Sequence, residues 1–527
     1  MSRLKPARMR KFPNPRTGVI APGIMSQGQD GQLYTTNESN GTTNAGTVFK
    51  MSLTGAPTTL YNFCSLSGCT DGSFPYGGVT LGFDGGLHGT THTGGADAAG
   101  TVFKITPAGK LTTQWSFDNL TDESVPYYPL LQGQDGNFYG VSYGEYNGQY
   151  GAFFKVSATG TYTNLADFNY TNGALPDLPT QGTDGNFYGT AQLGGSNGIG
   201  TIYKATAAGV ITVLHNFTGY PADGSLPVGQ LVQALDGNFY GVTYEGGLYN
   251  QGTVFKITSK GVYTLLHSFH YASPSFDGAL PLAGLTLGND GNLYGVTQVG
   301  GLNLNTGTIF EITTAGVETV IHNFCSVTGC IDGFYPQTPL VQHTNGTFYG
   351  STSGNSLGGG VFYSFNTSLP AFTNLLNWKN KVGKSIGFLG QGLTGTTKVS
   401  FNGASATFKV VSDTYLTATV PSGTTAGFVT ITTPSGTLKS NRKFLVIPAL
   451  LSFTPSSGTV GTPVTITGTS FTGASKVAFG GVSAPTFTVN SDTQITATVP
   501  TGAVTGKIQV TTPGGVATSA TNFTVTP

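Results

Sequence analysis

Charge is scarce in this 527-residue chain: Asp, Glu, Lys and Arg together make up 9 % of it. Disordered chains are usually highly charged and poor in aromatics, so this composition, with aromatics at 11 %, argues for packed cores. No run of about 18 apolar residues occurs, which argues against a transmembrane helix. A basic stripe is missing as well. Arg3, Lys5, Arg8, Arg10, Lys11 and Arg16 put six of the 23 basic residues in the first 16 positions, leaving 17 basic against 23 acidic residues, a net of −6, on the remainder. Such a body offers nothing to neutralise a phosphate backbone, which argues against a nucleic-acid partner. The basic start has the look of a signal-peptide n-region. The stretch that follows, Gly18 to Met25, is short and broken by Pro22, so residues 1–17 are expected to form a basic tail.

The cysteines number only four, in two near-identical strings, Phe63-Cys64-Ser65-Leu66-Ser67-Gly68-Cys69 and Phe324-Cys325-Ser326-Val327-Thr328-Gly329-Cys330. Two local disulfides, Cys64–Cys69 and Cys325–Cys330, are expected, and with them an oxidising compartment. The alternative, a four-cysteine zinc site, uses tighter spacing and needs both pairs to converge.

What is abundant is glycine, 80 residues of it, and it recurs in register. An Asp-Gly turn followed by an aromatic-Gly strand appears at Asp30, Asp84, Asp135, Asp184, Asp236 and Asp290, and as Asn at Asn345; the intervals are 54, 51, 49, 52, 54 and 55 residues. Each copy continues as in Asp290-Gly291-Asn292-Leu293-Tyr294-Gly295, then a Gly- and Thr-rich loop. A second strand such as Gly252-Thr253-Val254-Phe255-Lys256-Ile257 follows, then a Gly turn and a third strand such as Thr264 to Phe269. With the short apolar stretch before each Asp-Gly, typified by Leu285-Thr286-Leu287, a unit has four strands. Asp-Gly between alternating apolar residues predicts a two-residue hairpin. Four strands about every 50 residues predict propeller blades, and seven copies predict a closed ring. A solenoid of hairpins is the alternative, and it would leave open sheet edges at both ends.

These units resemble the Gloeobacter/Verrucomicrobium-type tandem repeat of bacterial exported proteins over residues 18–370. The strings D-G-N-[LF]-Y-G and G-T-[VI]-[FY]-K match in most copies. Thr35 departs from the pattern in the first copy, His88 in the second and Asn345 in the seventh. The resemblance implies export and a surface-associated role, and assigns no reaction.

Beyond residue 371 the pattern changes. Val460 to Gly468 echoes Val382 to Gly390, and Ser491 to Pro500 echoes Ser412 to Pro421, a period of 78–79 residues. Two copies of alternating strands and turns suit two β-sandwiches, 371–447 and 448–527, similar to the IPT/TIG immunoglobulin-like fold. Phe372 to Trp378 fits either the outer strand of blade seven or the first strand of the first sandwich. The expected fold is therefore all-β: a seven-bladed propeller followed by two immunoglobulin-like sandwiches.

Function on a propeller sits on the rim with the long loops. Here those loops carry Glu38, His92, Tyr143, Glu145, Tyr146, Tyr150, Tyr244, Glu245 and Tyr249, and the connections between blades add Tyr127, Tyr128, Tyr170, Tyr220, His270, Tyr271 and Tyr335. Phenol rings stack on sugars while their hydroxyls bond ring substituents. The expected ligand site comprises Tyr143, Glu145, Tyr146, Tyr150, Tyr244, Glu245, Tyr249 and His92, with a glycan or surface polymer as partner and a protein as the alternative. Glu145 and Glu245 would suit glycoside hydrolysis only if their carboxyls lie within about 5–9.5 Å. His92 and Tyr146 are weak candidates for a lyase base. Gly140-Val141-Ser142-Tyr143-Gly144 matches the nucleophile-elbow string, but no helix follows the strand, so the match is read as accidental. His215, His267 and His322 recur in the outermost strand and read as framework. No cofactor or metal is implied. The expectation is a monomeric, non-catalytic protein that is extracellular or at the cell surface of a bacterium. The alternatives are a polysaccharide lyase or glycoside hydrolase with accessory sandwiches, and a protein-interaction scaffold.

Overall fold

The computed structural model describes residues 23–118, 125–144, 150–272, 276–302, 305–354 and 359–527, together with the main chain of 8–11. Those residues contain no α-helix. They form eleven small sheets, divided between two compact units, Met1–Pro370 and Ala371–Pro527.

Each blade of the first unit is an antiparallel meander, innermost strand first. Blade five runs through Gly224–Gln233, Phe239–Gly246, Thr253–Ile257 and Tyr263–Ser268. The second strand of each blade, here Phe239–Gly246 and called the b strand, follows the Asp-Gly turn (Asn-Gly in blade seven), and its side chains explain the recurring string. Tyr240 is buried and its hydroxyl donates to Asp236 Oδ2 at 2.7 Å, while Asp236 Oδ1 accepts from Asn238 N at 3.0 Å. Gly241 has no room for a side chain, since a Cβ there would meet the Phe255 ring at 2.6 Å. The turn itself differs from the two-residue hairpin expected. Ala234 O accepts from Gly237 N and Ala234 N donates to Asn238 O, each at 3.0 Å, and only Gly237, at φ 84°, is left-handed. Leu235 and Asp236 form an ordinary turn and Gly237 a bulge. The Asp stays out of the left-handed region because its carboxylate caps the N–H two residues on.

Blades adhere through one aromatic contact repeated. The Tyr of one b strand packs on the Phe of the next: Tyr188 on Phe239 at 4.0 Å, Tyr139 on Phe187 at 4.3 Å and Tyr294 on Phe348 at 4.4 Å. His88 fills the same role, stacked 3.9 Å from Phe138, so the departure in blade two preserves the packing. A glutamine clamp accompanies it. Gln132, Gln181, Gln233 and Gln342 each accept, through Oε1, a main-chain N–H from the preceding blade's turn at 2.7–3.0 Å. Gln27 of blade one accepts from Thr344 N of blade seven at 2.9 Å in the same way. Met25, Leu33, Phe49 and Met51 then pack with Tyr349 and Phe362, and the ring is closed.

Blade seven takes its outer strand from the far end of the chain. Arg8–Lys11 pairs antiparallel with Val361–Asn366, Met9 opposite Phe365. Four residues of the expected tail are thus a strand, because the exposed edge of Val361–Asn366 offers a ladder that needs only main-chain groups. Phe372 to Trp378 belongs to the second unit instead: Asn374–Leu375 pairs with Ser385–Leu389, and Leu375 and Trp378 enter the first sandwich core. The two sandwiches share one strand order, with a four-stranded and a five-stranded sheet each. Their cores are built on Phe388, Phe401 and Phe444 in the first and Phe471, Phe479 and Phe523 in the second.

Candidate ligand-binding rim

Antiparallel meanders put the Asp-Gly turns on one rim and the b–c and interblade connections on the other. Every b strand delivers a variable side chain to that second rim, four residues beyond the repeat's Tyr or His: Glu38, His92, Tyr143, Gln192, Tyr244, Gln298 and Ser353. In a strand, residues two apart share a face. The residue two earlier faces the next blade, since Thr36 Oγ1 donates to Pro75 O at 2.6 Å and Thr90 Oγ1 to Tyr128 O at 2.7 Å. The variable position therefore points at the next blade's entry segment.

At blades two to four this brings aromatic groups into a continuous row. The Tyr76 ring lies 5.2 Å from His92 and 5.4 Å from Tyr127, His92 lies 4.5 Å from Tyr127, and Tyr127 lies 4.6 Å from Tyr143. Tyr76 is exposed, and Tyr127 and Tyr143 are partly so. The row ends on a buried polar network. Gln192 Nε2 donates to Tyr143 Oη at 2.8 Å and to Asp177 Oδ1 at 3.2 Å, Tyr128 Oη donates to the same carboxylate oxygen, and Thr190 Oγ1 donates to Asp177 Oδ2 at 2.8 Å. Asp177 is wholly buried, and desolvation lifts its pKa to about 6 against the pull of those donors. Burial and the Asp177 charge push the Tyr128 and Tyr143 hydroxyls well above their ordinary value, so both stay protonated donors. Burial also raises Glu38.

The expected site residues are scattered by this geometry. His92 and Tyr143 join one row, and Tyr244 holds the equivalent place on blade five, half-buried. Glu245 is in the b strand opposite Ser225. Tyr150 packs with Tyr170 at 5.3 Å, and Tyr249 stacks on His270 at 4.0 Å, each a separate pair over its own interblade connection. Glu145 and Tyr146 lie outside the described residues, and with them the Glu145–Glu245 pair. Ser142 is buried in a strand, its Oγ accepting from Ala152 N at 3.3 Å, with no helix after it. Tyr76, Asp177 and Gln192 were missed. Aligning the repeats flags Gln192, but nothing local marks Asp177, whose meaning comes from three neighbours in blades three and four.

The cysteines form two separate disulfides, Cys64–Cys69 and Cys325–Cys330, in the connections after blades one and six. No helix among the described residues is long and apolar enough to cross a membrane.

A family model for the Gloeobacter/Verrucomicrobia repeat matches residues 7–179 and 149–363, more than half of the chain, and one for the IPT/TIG domain matches 448–525. The first sandwich shares the strand order of the second but falls outside that match. No curated protein matches the chain. Among solved structures, a fungal alcohol oxidase of the AA5 family in complex with copper is similar at TM-score 0.48 and 14 % identity, covering 84 % of this chain and 99 % of that one. A surface glycan-binding protein from Prevotella bryantii is similar at TM-score 0.22 and 22 % identity, covering 30 % of this chain and 39 % of that one. Another such protein, from a xyloglucan utilization locus of Bacteroides uniformis, is similar at TM-score 0.16 and 20 % identity, covering 27 % and 46 %. This chain spans less than half the length of either glycan-binding protein, and at these scores none of the three likenesses carries weight for function.

Proposed function

The chain belongs to the Gloeobacter/Verrucomicrobia repeat family, and from that premise and the chemistry of its rim we propose that it is an exported, non-catalytic protein that binds a glycan or surface polymer. The row Tyr76–His92–Tyr127–Tyr143 carries this reading. Phenol rings in series offer stacking faces for successive sugar units, and the Gln192 amide and tyrosine hydroxyls at its end suit ring substituents. Both Asp177 oxygens are occupied by donors and shielded from water, so its role is to hold Tyr128 and, through Gln192, Tyr143, and not to transfer protons to a substrate. Two disulfides fit an oxidising compartment, and the sandwiches serve as spacers or adhesion contacts.

The test is retention of the full chain on a panel of insoluble polysaccharides, with supernatants assayed for released oligosaccharides. Retention on one polymer without release is expected, and Tyr127→Ala or Tyr143→Ala should each weaken it about tenfold, the equivalent of about 1.4 kcal/mol. Release of oligosaccharides would make the protein a lyase or hydrolase, and retention indifferent to both variants would place the site elsewhere.

A further inference from the structure

The outermost strands of neighbouring blades meet through one recurring contact. The fifth residue of one outer strand is covered by the first residue of the next. Trp115 is stacked by Tyr162 at 5.1 Å, and His215 by Tyr263 at 4.1 Å with the rings parallel. The histidine is also tied to an aspartate of the following connection: His215 Nε2 lies 2.9 Å from Asp223 Oδ2, and His267 Nε2 lies 3.1 Å from Asp277 Oδ2.

Between blades five and six the cover changes. The first residue of the strand Glu318–Asn323 is an acid where blade five has Tyr263. One ligand atom each from His267, Asp277 and Glu318 lie within 4.8 Å of one another. Glu318 Oε1 is buried and accepts no hydrogen bond, and no ion pair within 4.0 Å joins Glu318 to His267 among the described residues. Asp277 is buried, with Oδ1 bound to His270 N at 2.7 Å, which leaves Oδ2 turned to the imidazole. Two carboxylates thus face one imidazole, Asp277 in direct contact with it and Glu318 across a gap too wide for direct bonding, in a place where an aromatic lid would carry no charge.

We propose that His267, Asp277 and Glu318 bind one zinc-class divalent ion, with water in the fourth position. Zinc bonds of about 2.0–2.2 Å in a tetrahedron separate ligand atoms by about 3.3 Å. The His267–Asp277 spacing of 3.1 Å already matches that edge, and the Glu318 ligand atom, within 4.8 Å of both, would have to close by about 1.5 Å at most. A mixed nitrogen and carboxylate set of three suits zinc, whereas calcium takes six to eight oxygens and magnesium demands an octahedron. The ion would neutralise both acids and join the outer strands of two blades, supplying the cohesion that Tyr263 on His215 provides one blade earlier. This site is independent of the glycan reading.

The test is calorimetric titration of chelator-treated full chain with Zn²⁺, and with Ca²⁺ in parallel. Wild type should bind one equivalent of Zn²⁺ at micromolar or tighter affinity and no Ca²⁺ at this site. Glu318→Gln keeps the volume and should weaken zinc at least tenfold. Glu318→Tyr, which rebuilds the aromatic cover, should lose that equivalent while its melting temperature in the absence of zinc is held or raised. Absence of saturable zinc binding, or an equivalent retained in both variants, overturns the proposal. Should Glu318→Tyr fold poorly, Glu318→Gln alone decides it.

Discussion

Asp177 offers a measurable consequence of the rim's construction. Its pKa rises from 3.8 in the unfolded chain to about 6 in the folded one, because burial disfavours the charged form more than its hydrogen-bond donors restore it. Between these values the folded state holds more protons than the unfolded one. Stability therefore falls as pH rises through roughly 4 to 6, and above that window the whole penalty is present. Just over two pKa units correspond to about 3 kcal/mol. Asp177→Asn removes the charge and retains the network: the amide oxygen accepts from Tyr128 and Gln192, the amide nitrogen donates to Thr190 Oγ1, and Thr190 turns its proton to Gly229 O, now 3.4 Å away. Wild type and Asp177→Asn should thus be close in stability at pH 4, with the variant more stable by up to about 3 kcal/mol at pH 8. For a transition of this unit's size that is about 4 °C, readable by scanning calorimetry from the difference between the two proteins, in which other titrating groups cancel. A difference that does not change between pH 4 and 8 would refute the raised pKa of Asp177 and the desolvated network with it.

Two further perturbations follow from the ring. Replacing Cys64 and Cys69 by Ser opens a six-residue loop and should cost about 2 kcal/mol, seen as a lower unfolding midpoint that reductant lowers less in the variant, which keeps only Cys325–Cys330, than in wild type. Met9→Pro combined with Arg10→Pro must remove one ladder N–H, since neighbouring residues of a strand point theirs in opposite directions; a loss of about 1–3 kcal/mol and earlier proteolysis at Arg8–Lys11 are expected, and an unchanged melt would mean that Arg8–Lys11 does not carry blade seven.

Much of this architecture is local and repeated, which is why the sequence alone determined it. The Asp-Gly turns, the Tyr and Phe of each b strand and the 78–79-residue echo each act within one blade or one sandwich, and repetition multiplies a weak signal. The cysteine pairs were legible because each closes a loop of six residues. The turn geometry was half legible: glycine was right for the left-handed place, but the capping carboxylate lets Asp stay in ordinary space. Tertiary structure alone decided the rest. Arg8–Lys11 carries no strand pattern, and it becomes a strand because Val361–Asn366, more than 300 residues away, has an unpaired edge. The rim tyrosines are equivalent by composition, and only the pitch of one blade against the next selects Tyr76, Tyr127 and Tyr143 into a row with His92 while leaving Tyr150 and Tyr249 in separate pairs. Asp177 and Glu318 look like solvated acids in sequence. Their burial, and so their chemistry, is set by side chains from neighbouring blades that no local pattern encodes.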